Sequence, residues 1–232
     1  MNLYLQKIVE SFDLNNMPPD WQNLYTKIFS SKKFLLEYQE EALNNSVKAL
    51  YLYFQEYKGN KKIFFTHYQN IGMSLNLDYS LKKESKIDKY FLEYDKDYPV
   101  NNNKISFEHF INRMSFWMAT GSGKTLIIVK LIELLYNLMK NKQIPQKDIL
   151  FLTYRDDLIE QFKKHIEEFN QFQNQNSVTI NLINLKEYDS RKYNPTINFG
   201  CSIDVFYYRS DLISDEQKDK IIDYRNYDNN GN

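Results

Sequence analysis

The sequence predicts an α/β fold in which crossover helices connect the strands of a parallel sheet, preceded by a helical N-terminal region. Three observations predict it. After residue 105, short apolar runs alternate with longer amphipathic ones in the order strand, helix, strand, helix, strand. A glycine-containing turn, Thr120-Gly121-Ser122-Gly123, joins the first short run to the first long one. Upstream, apolar residues recur at three- and four-residue spacing, which suits helices.

Composition bounds the class. The chain has 232 residues, 42% hydrophobic and 26% charged, enough apolar material for a buried core. Lys+Arg and Asp+Glu are each 30, without a charged tail, so a nucleic-acid wrapper held by charge alone is excluded. The single cysteine, Cys201, excludes an intrachain disulfide framework and a Cys-cluster zinc site. The N-terminus, with Lys7 and Glu10 among its apolar residues, has no signal-peptide core. No apolar run reaches the roughly 18 residues of a membrane helix. The expectation is a cytoplasmic chain with no membrane partner.

The elements follow in order. Residues 1–30 read as helical through Leu3, Leu5, Ile8 and Val9. Met17-Pro18-Pro19-Asp20 interrupts them, and Asp20 caps a second helix through Trp21, Leu24, Tyr25 and Ile28. A further helix is expected over 37–57, with Tyr38, Ala42, Leu43, Val47, Leu50, Tyr51 and Phe54 near one face and Gly59-Asn60 at its end. Lys61 to Met73 fits strand or helix. Residues 78–104 are rich in Lys, Asp, Glu and Asn, with a loop at Pro99 to Asn103. Ser115 to Met118 reads as a strand, with Trp117 in the core. Leu126 to about Lys140 reads as a buried helix, because its apolar run is too long for a strand. A strand follows over 148–154. A helix capped by Asp157 then carries Leu158, Ile159, Phe162, Ile166 and Phe169 on its core face. Val178 to Leu185 and Ile203 to Tyr208 read as further strands. The expected organisation is 1–60 helical, 61–105 an insertion or surface excursion, and 106–232 a partial nucleotide-binding domain.

Chemistry concentrates in Met118-Ala119-Thr120-Gly121-Ser122-Gly123-Lys124-Thr125. A turn of this kind before a helix is a phosphate loop. Gly121 and Gly123 let the backbone turn tightly and point N–H groups at phosphate oxygens. The helix N-terminus adds a positive dipole. Lys124 is expected to be catalytic, charging the β- and γ-phosphates, and Thr125 to ligate Mg²⁺. The strict pattern has glycine where Met118 stands. His67, His109 and His165 lack metal-ligand spacing and read as surface or packing residues.

Ala119 to Thr125 resembles motif I of superfamily 2 helicases and translocases, in particular the type III restriction subunits and their DEAD/DEAH-type relatives. Leu36-Glu37-Tyr38-Gln39-Glu40-Glu41-Ala42 resembles the family's upstream L-x-x-Y-Q-x-x-A element, whose glutamine recognises adenine. An amide can pair both N6 and N7 of that base. Phe151 to Gln161 resembles motif Ia, which implies that Thr153 and Arg155 contact the DNA backbone. Val205 to Ile213 and Asp223-Tyr224-Arg225 resemble the stretch before motif II.

The resemblance implies a RecA-like domain. It also implies nucleotide contacts from Tyr38, Gln39, Ala119, Thr120, Gly121, Ser122, Gly123, Lys124 and Thr125, with ATP and Mg²⁺ as cofactors. Double-stranded DNA and a methyltransferase or modification subunit are the implied partners. The family's catalytic Asp-Glu-x-His is not legible. Asp215-Glu216 is the only Asp-Glu pair, and neither an apolar strand precedes it nor a histidine follows. An incomplete sheet, absent second motor and nuclease portions, and nucleotide binding with little turnover are therefore expected. The spacing from Gln39 to Met118 is also long, so either 60–105 are inserted or the glutamine match is accidental. Two other functions stay open: a non-catalytic remnant that binds nucleotide or a partner, and a different P-loop enzyme such as a kinase.

Overall fold

The computed structural model describes residues 3–77, 79–82, 88–89, 98–172, 178–188, 197–198 and 201–212. In chain order its elements are α1 (Tyr4–Glu10), β1 (Ile28–Ser30), β2 (Lys33–Phe34), α2 (Glu37–Tyr51), α3 (Lys61–Asn70), β3 (Val100–Asn101), β4 (Lys104–Ile105), α4 (Lys124–Lys140), β5 (Ile149–Thr153), α5 (Asp156–Gln171), β6 (Thr179–Asn184), β7 (Ile197–Asn198) and β8 (Ser202–Arg209). They form two compact units. One comprises Met1–Pro18 and Asn44–Trp117, the other Pro19–Leu43 and Met118–Asn232.

The first unit is mainly helical. Ile8 of α1, Leu52, Phe64, Phe65 and Tyr68 of α3, and Ile111 make its core. After α2 a wide turn runs over Leu52–Glu56, and Gly59 at φ +67° ends it as expected. Asn60 then caps α3, accepting the N–H groups of Lys62 and Ile63, which decides 61–70 as helix. The loop expected at 99–103 is instead a hairpin. β3 pairs with β4 antiparallel, and Asn102 and Asn103 both take positive φ, the conformation a two-residue hairpin turn demands.

The second unit is an α/β layer structure. β5, β8 and β6 form a parallel sheet in that order, with Ile149 beside Val205 and Ile180 beside Ile203. β7 pairs antiparallel with the start of β8. β6 already lies along one side of those β8 residues, so β7 must lie on the side that β5 occupies further along. Helix α5 crosses one face of the sheet. Phe162 stacks on Phe151 with ring centroids 4.1 Å apart, and Ile166 and Phe169 are buried beside it. Helix α4 packs against α5 and buries Val129, Ile132, Leu134 and Leu138. Both helices and three of the four strands expected after residue 105 are present, and they form a parallel sheet with crossover helices, consistent with a RecA-like α/β domain.

Segment 19–34 is fixed to this layer by polar contacts. The Trp21 indole donates to Gln143 at 3.0 Å and the Asn137 amide to the Leu24 carbonyl at 2.7 Å. Lys130 of α4 is fully buried. Its ammonium donates to Thr26 Oγ1 and the Ile28 carbonyl, both at 3.1 Å, and lies 2.5 Å from Glu133. Ser30 and Lys33 donate to Glu168 of α5 at 2.6 and 2.5 Å.

Three expectations are corrected. Residues 1–30 are not mostly helical: beyond α1 they form short 3-10 turns and then strand β1. Asp20 caps no helix there, and its carboxylate accepts from Gln143. The anchors at Trp21, Thr26 and Ile28 tie this stretch to α4 and to the turn after it, overriding its apolar spacing. The strand expected at 115–118 is not formed, because no described strand pairs with it. Trp117 is 91% exposed rather than core. Finally, the residue preceding α5 is Arg155, which makes no side-chain cap, and Asp157 is held by Arg155 instead. Asp156 and Asp157 still favour the helix N-terminus by charge.

Candidate functional site

The loop expected to hold phosphate has two left-handed glycines at the foot of α4. Gly121 has φ +80° and Gly123 φ +77°, backbone that residues with a side chain rarely adopt. Gly123 is the N-cap of α4, and its carbonyl accepts the N–H groups of Leu126 and Ile127. The next residues, Lys124 and Thr125, open the helix, so their N–H groups belong to the first turn that a helix leaves without internal acceptors. The Lys124 ammonium folds back onto the loop and donates to the carbonyls of Met118 and Ala119 at 3.1 and 2.8 Å. The Thr125 hydroxyl donates to Gln161 Oε1 at 3.3 Å. Ser122 Oγ is buried and has no hydrogen-bond partner among the described residues. Ala119 and Thr120 lie on the exposed side of the loop.

These features fit a polyphosphate. The backbone conformation exposes N–H groups, a cation stands beside them, and a buried hydroxyl lacks a partner.

Tyr38 and Gln39, 84 and 83 residues earlier in the chain, reach the same loop. The Tyr38 hydroxyl donates to the Ser122 carbonyl at 3.0 Å, and the Gln39 amide nitrogen donates to it at 2.9 Å. Gln39 Oε1 accepts the Leu36 N–H at 2.9 Å, the reciprocal half of a capping box on α2. Gln39 is 4% exposed. Both ends of its amide are therefore engaged inside the protein.

A second cluster stands at the C-terminal ends of the parallel strands, where α/β sheets commonly take ligands. Thr153 ends β5 and lies beside Arg209, which ends β8. Thr153 is buried, and its hydroxyl accepts the Arg155 N–H at 3.4 Å. The Arg155 guanidinium forks onto Asp157, donating through Nε at 2.9 Å and also through Nη2. This fork holds the Asp157 carboxyl below its usual range. Arg209 bridges Asp156 at 2.7 Å and Asp211 at 2.6 Å. Sequence reading did not single out Arg209. Its signal was available, since an arginine closing an apolar strand next to Ser-Asp marks the same strand end as Arg155. Asp215-Glu216 and Asp223-Tyr224-Arg225 lie outside the described residues.

Residues 32–224 match the family model of the type III restriction enzyme res subunit. The chain belongs to that family. The matched region is accordingly a superfamily 2 helicase-like domain, and the glycine-containing loop and both clusters fall within it. No curated protein and no solved structure matches the chain. Among the described residues no helix is long and apolar enough to cross a membrane, and no group of three or more His, Cys, Asp or Glu stands ready to hold a metal ion.

Proposed function

We propose that this chain is the ATP-binding first motor lobe of a DNA-dependent translocase of type III restriction type. The observation that supports it most is the loop at the foot of α4, where two left-handed glycines and the Lys124 ammonium converge within a chain of this family. In this reading Ala119, Thr120, Gly121, Ser122 and Gly123 cradle the phosphates. Lys124 exchanges the Met118 and Ala119 carbonyls for phosphate oxygens. Thr125 releases Gln161 to ligate Mg²⁺. Tyr38 and Gln39 flank the nucleotide from α2.

ATP supplies the phosphoanhydride bond whose hydrolysis drives movement on duplex DNA. Thr153 and Arg155 contact the DNA backbone from the strand ends, and a modification subunit supplies site recognition. Turnover by the 232-residue chain is expected to be slow, because Asp215-Glu216 lacks the apolar strand that would present a water-orienting acid.

Titration of the purified chain with fluorescent ATP and Mg²⁺, beside Lys124→Ala, tests the reading. We expect saturable binding that the variant weakens at least about tenfold, the loss of a charge-assisted contact. Absence of binding by the wild type sinks it.

A further inference from the structure

We propose that Gln39 and Tyr38 act on the phosphate loop itself, by fixing the Ser122–Gly123 peptide so that the Gly123 N–H is preset for a phosphate oxygen. This rests on the reading that the loop binds nucleotide. It differs from a base-reading role for Gln39.

Two donors from one helical turn converge on one acceptor, the Ser122 carbonyl, at 2.9 and 3.0 Å. In a trans peptide the C=O and the following N–H point in opposite directions. Drawing the Ser122 carbonyl towards α2 therefore turns the Gly123 N–H the other way, to the side of the peptide facing away from α2. This peptide leads into a left-handed glycine, and another stands two residues before, so contacts from outside the loop bear on its orientation.

The clamp is rigid. Gln39 Oε1 is held by the Leu36 N–H, which fixes the amide plane and leaves Nε2 to reach Ser122. Gln39 is buried, which shields its amide from water, while Tyr38 reaches the same carbonyl from the exposed side. Gly123 carries a second mark of the same arrangement. A Cβ on it would lie 2.6 Å from Gln39 Nε2, closer than real contacts allow. A side chain at 123 would therefore push the Gln39 amide off the Ser122 carbonyl, on top of the strain that its φ of +77° already imposes. The amide has no spare exposed face for a base, so its contribution goes to whatever the loop holds.

The test measures Mg²⁺-dependent binding of ATP, GTP and inorganic tripolyphosphate to the full chain and to three variants. Gln39→Ala removes both contacts. Gln39→Glu keeps the acceptor for Leu36 and removes the donor to Ser122. Tyr38→Phe removes one hydroxyl. Far-UV circular dichroism and the thermal midpoint report whether each variant is folded.

We expect Gln39→Ala and Gln39→Glu to weaken all three ligands by a common factor of roughly 5- to 20-fold, and Tyr38→Phe by roughly threefold, with the wild-type spectrum retained. A loss confined to ATP, with GTP and tripolyphosphate unchanged, overturns the proposal in favour of base reading. So does wild-type affinity in Gln39→Glu. If Gln39→Ala unfolds, Gln39→Glu and Tyr38→Phe decide. Failure of the wild type to bind any of the three overturns the nucleotide reading as well, and is distinguished by appearing before any substitution.

Discussion

At the residue scale, the arginines at the strand ends and the buried lysine of α4 make opposite demands. Arg155 is exposed and its fork onto Asp157 faces water, so the pair adds little to stability and opens readily. If Arg155 contacts the backbone, Arg155→Ala lowers the slope of log affinity against log salt for duplex DNA by about one, and Asp157→Asn raises affinity by freeing the guanidinium. Filter binding across a salt series measures both, and an unchanged slope excludes the contact. Lys130 behaves otherwise. It is fully buried with Glu133, and desolvation lowers its pKa against the opposing pull of that carboxylate. Lys130→Met leaves Glu133 buried without its cation, a loss of about 3–5 kcal/mol, whereas Lys130→Met with Glu133→Leu recovers most of it. Urea unfolding of the three chains checks the ordering. Neither arrangement was legible in the sequence: Lys130 reads as one charge interrupting an apolar run, and its partners at Thr26 and Ile28 lie about a hundred positions away.

At the element scale, legibility followed length. Helices α4 and α5 and strands β5, β6 and β8 carry their own period or run length, and each stands where the pattern places it. The capping box of α2 shows where local pattern stops. Apolar spacing over 37–57 announces the helix, yet nothing in it reveals that Gln39 at its start holds both the Leu36 N–H and the Ser122 carbonyl. The segment 115–118 fails for a related reason: a strand exists only with a hydrogen-bonded neighbour, and apolar content alone supplies none. The junction of α5 with the β1–β2 hairpin carries a pH-dependent contact. His165 of α5 sits edge-on to Phe29 at 5.8 Å, and its Nδ1 is buried without a hydrogen bond among the described residues. Desolvation, then the Lys33 charge, lower its pKa below 6.5, against a smaller opposing pull from Glu168. The unfolded chain therefore takes up this proton first. The stabilisation is present above about pH 6.5 and is lost as pH falls from there towards the lowered folded value. Thermal midpoints from pH 7.5 to 5 should fall for the wild type and fall less for His165→Leu.

At the scale of the whole molecule, two tryptophans report two environments. Trp21 is buried in the second unit and bonded to Gln143, whereas Trp117, in the first, is exposed. Acrylamide should quench one emitting fraction readily and the other weakly, and Trp117→Phe should remove the readily quenched one. A single uniform quenching constant in the wild type would contradict the two environments.

The central place of β8 has a consequence for how the chain acquires its shape. β5 and β6 do not touch each other; both lie against β8, and so does β7. During synthesis β5, β6 and β7 all emerge before the template on which they are aligned. α4 and α5 can form from local contacts as they appear, but the sheet beneath them must wait for residues 202–209 and then close three separate loops at once. Such late, long-range pairing slows folding and leaves apolar strand edges uncovered for longer. A ribosome pause that keeps residues 202–209 from leaving the exit tunnel would prolong that exposure.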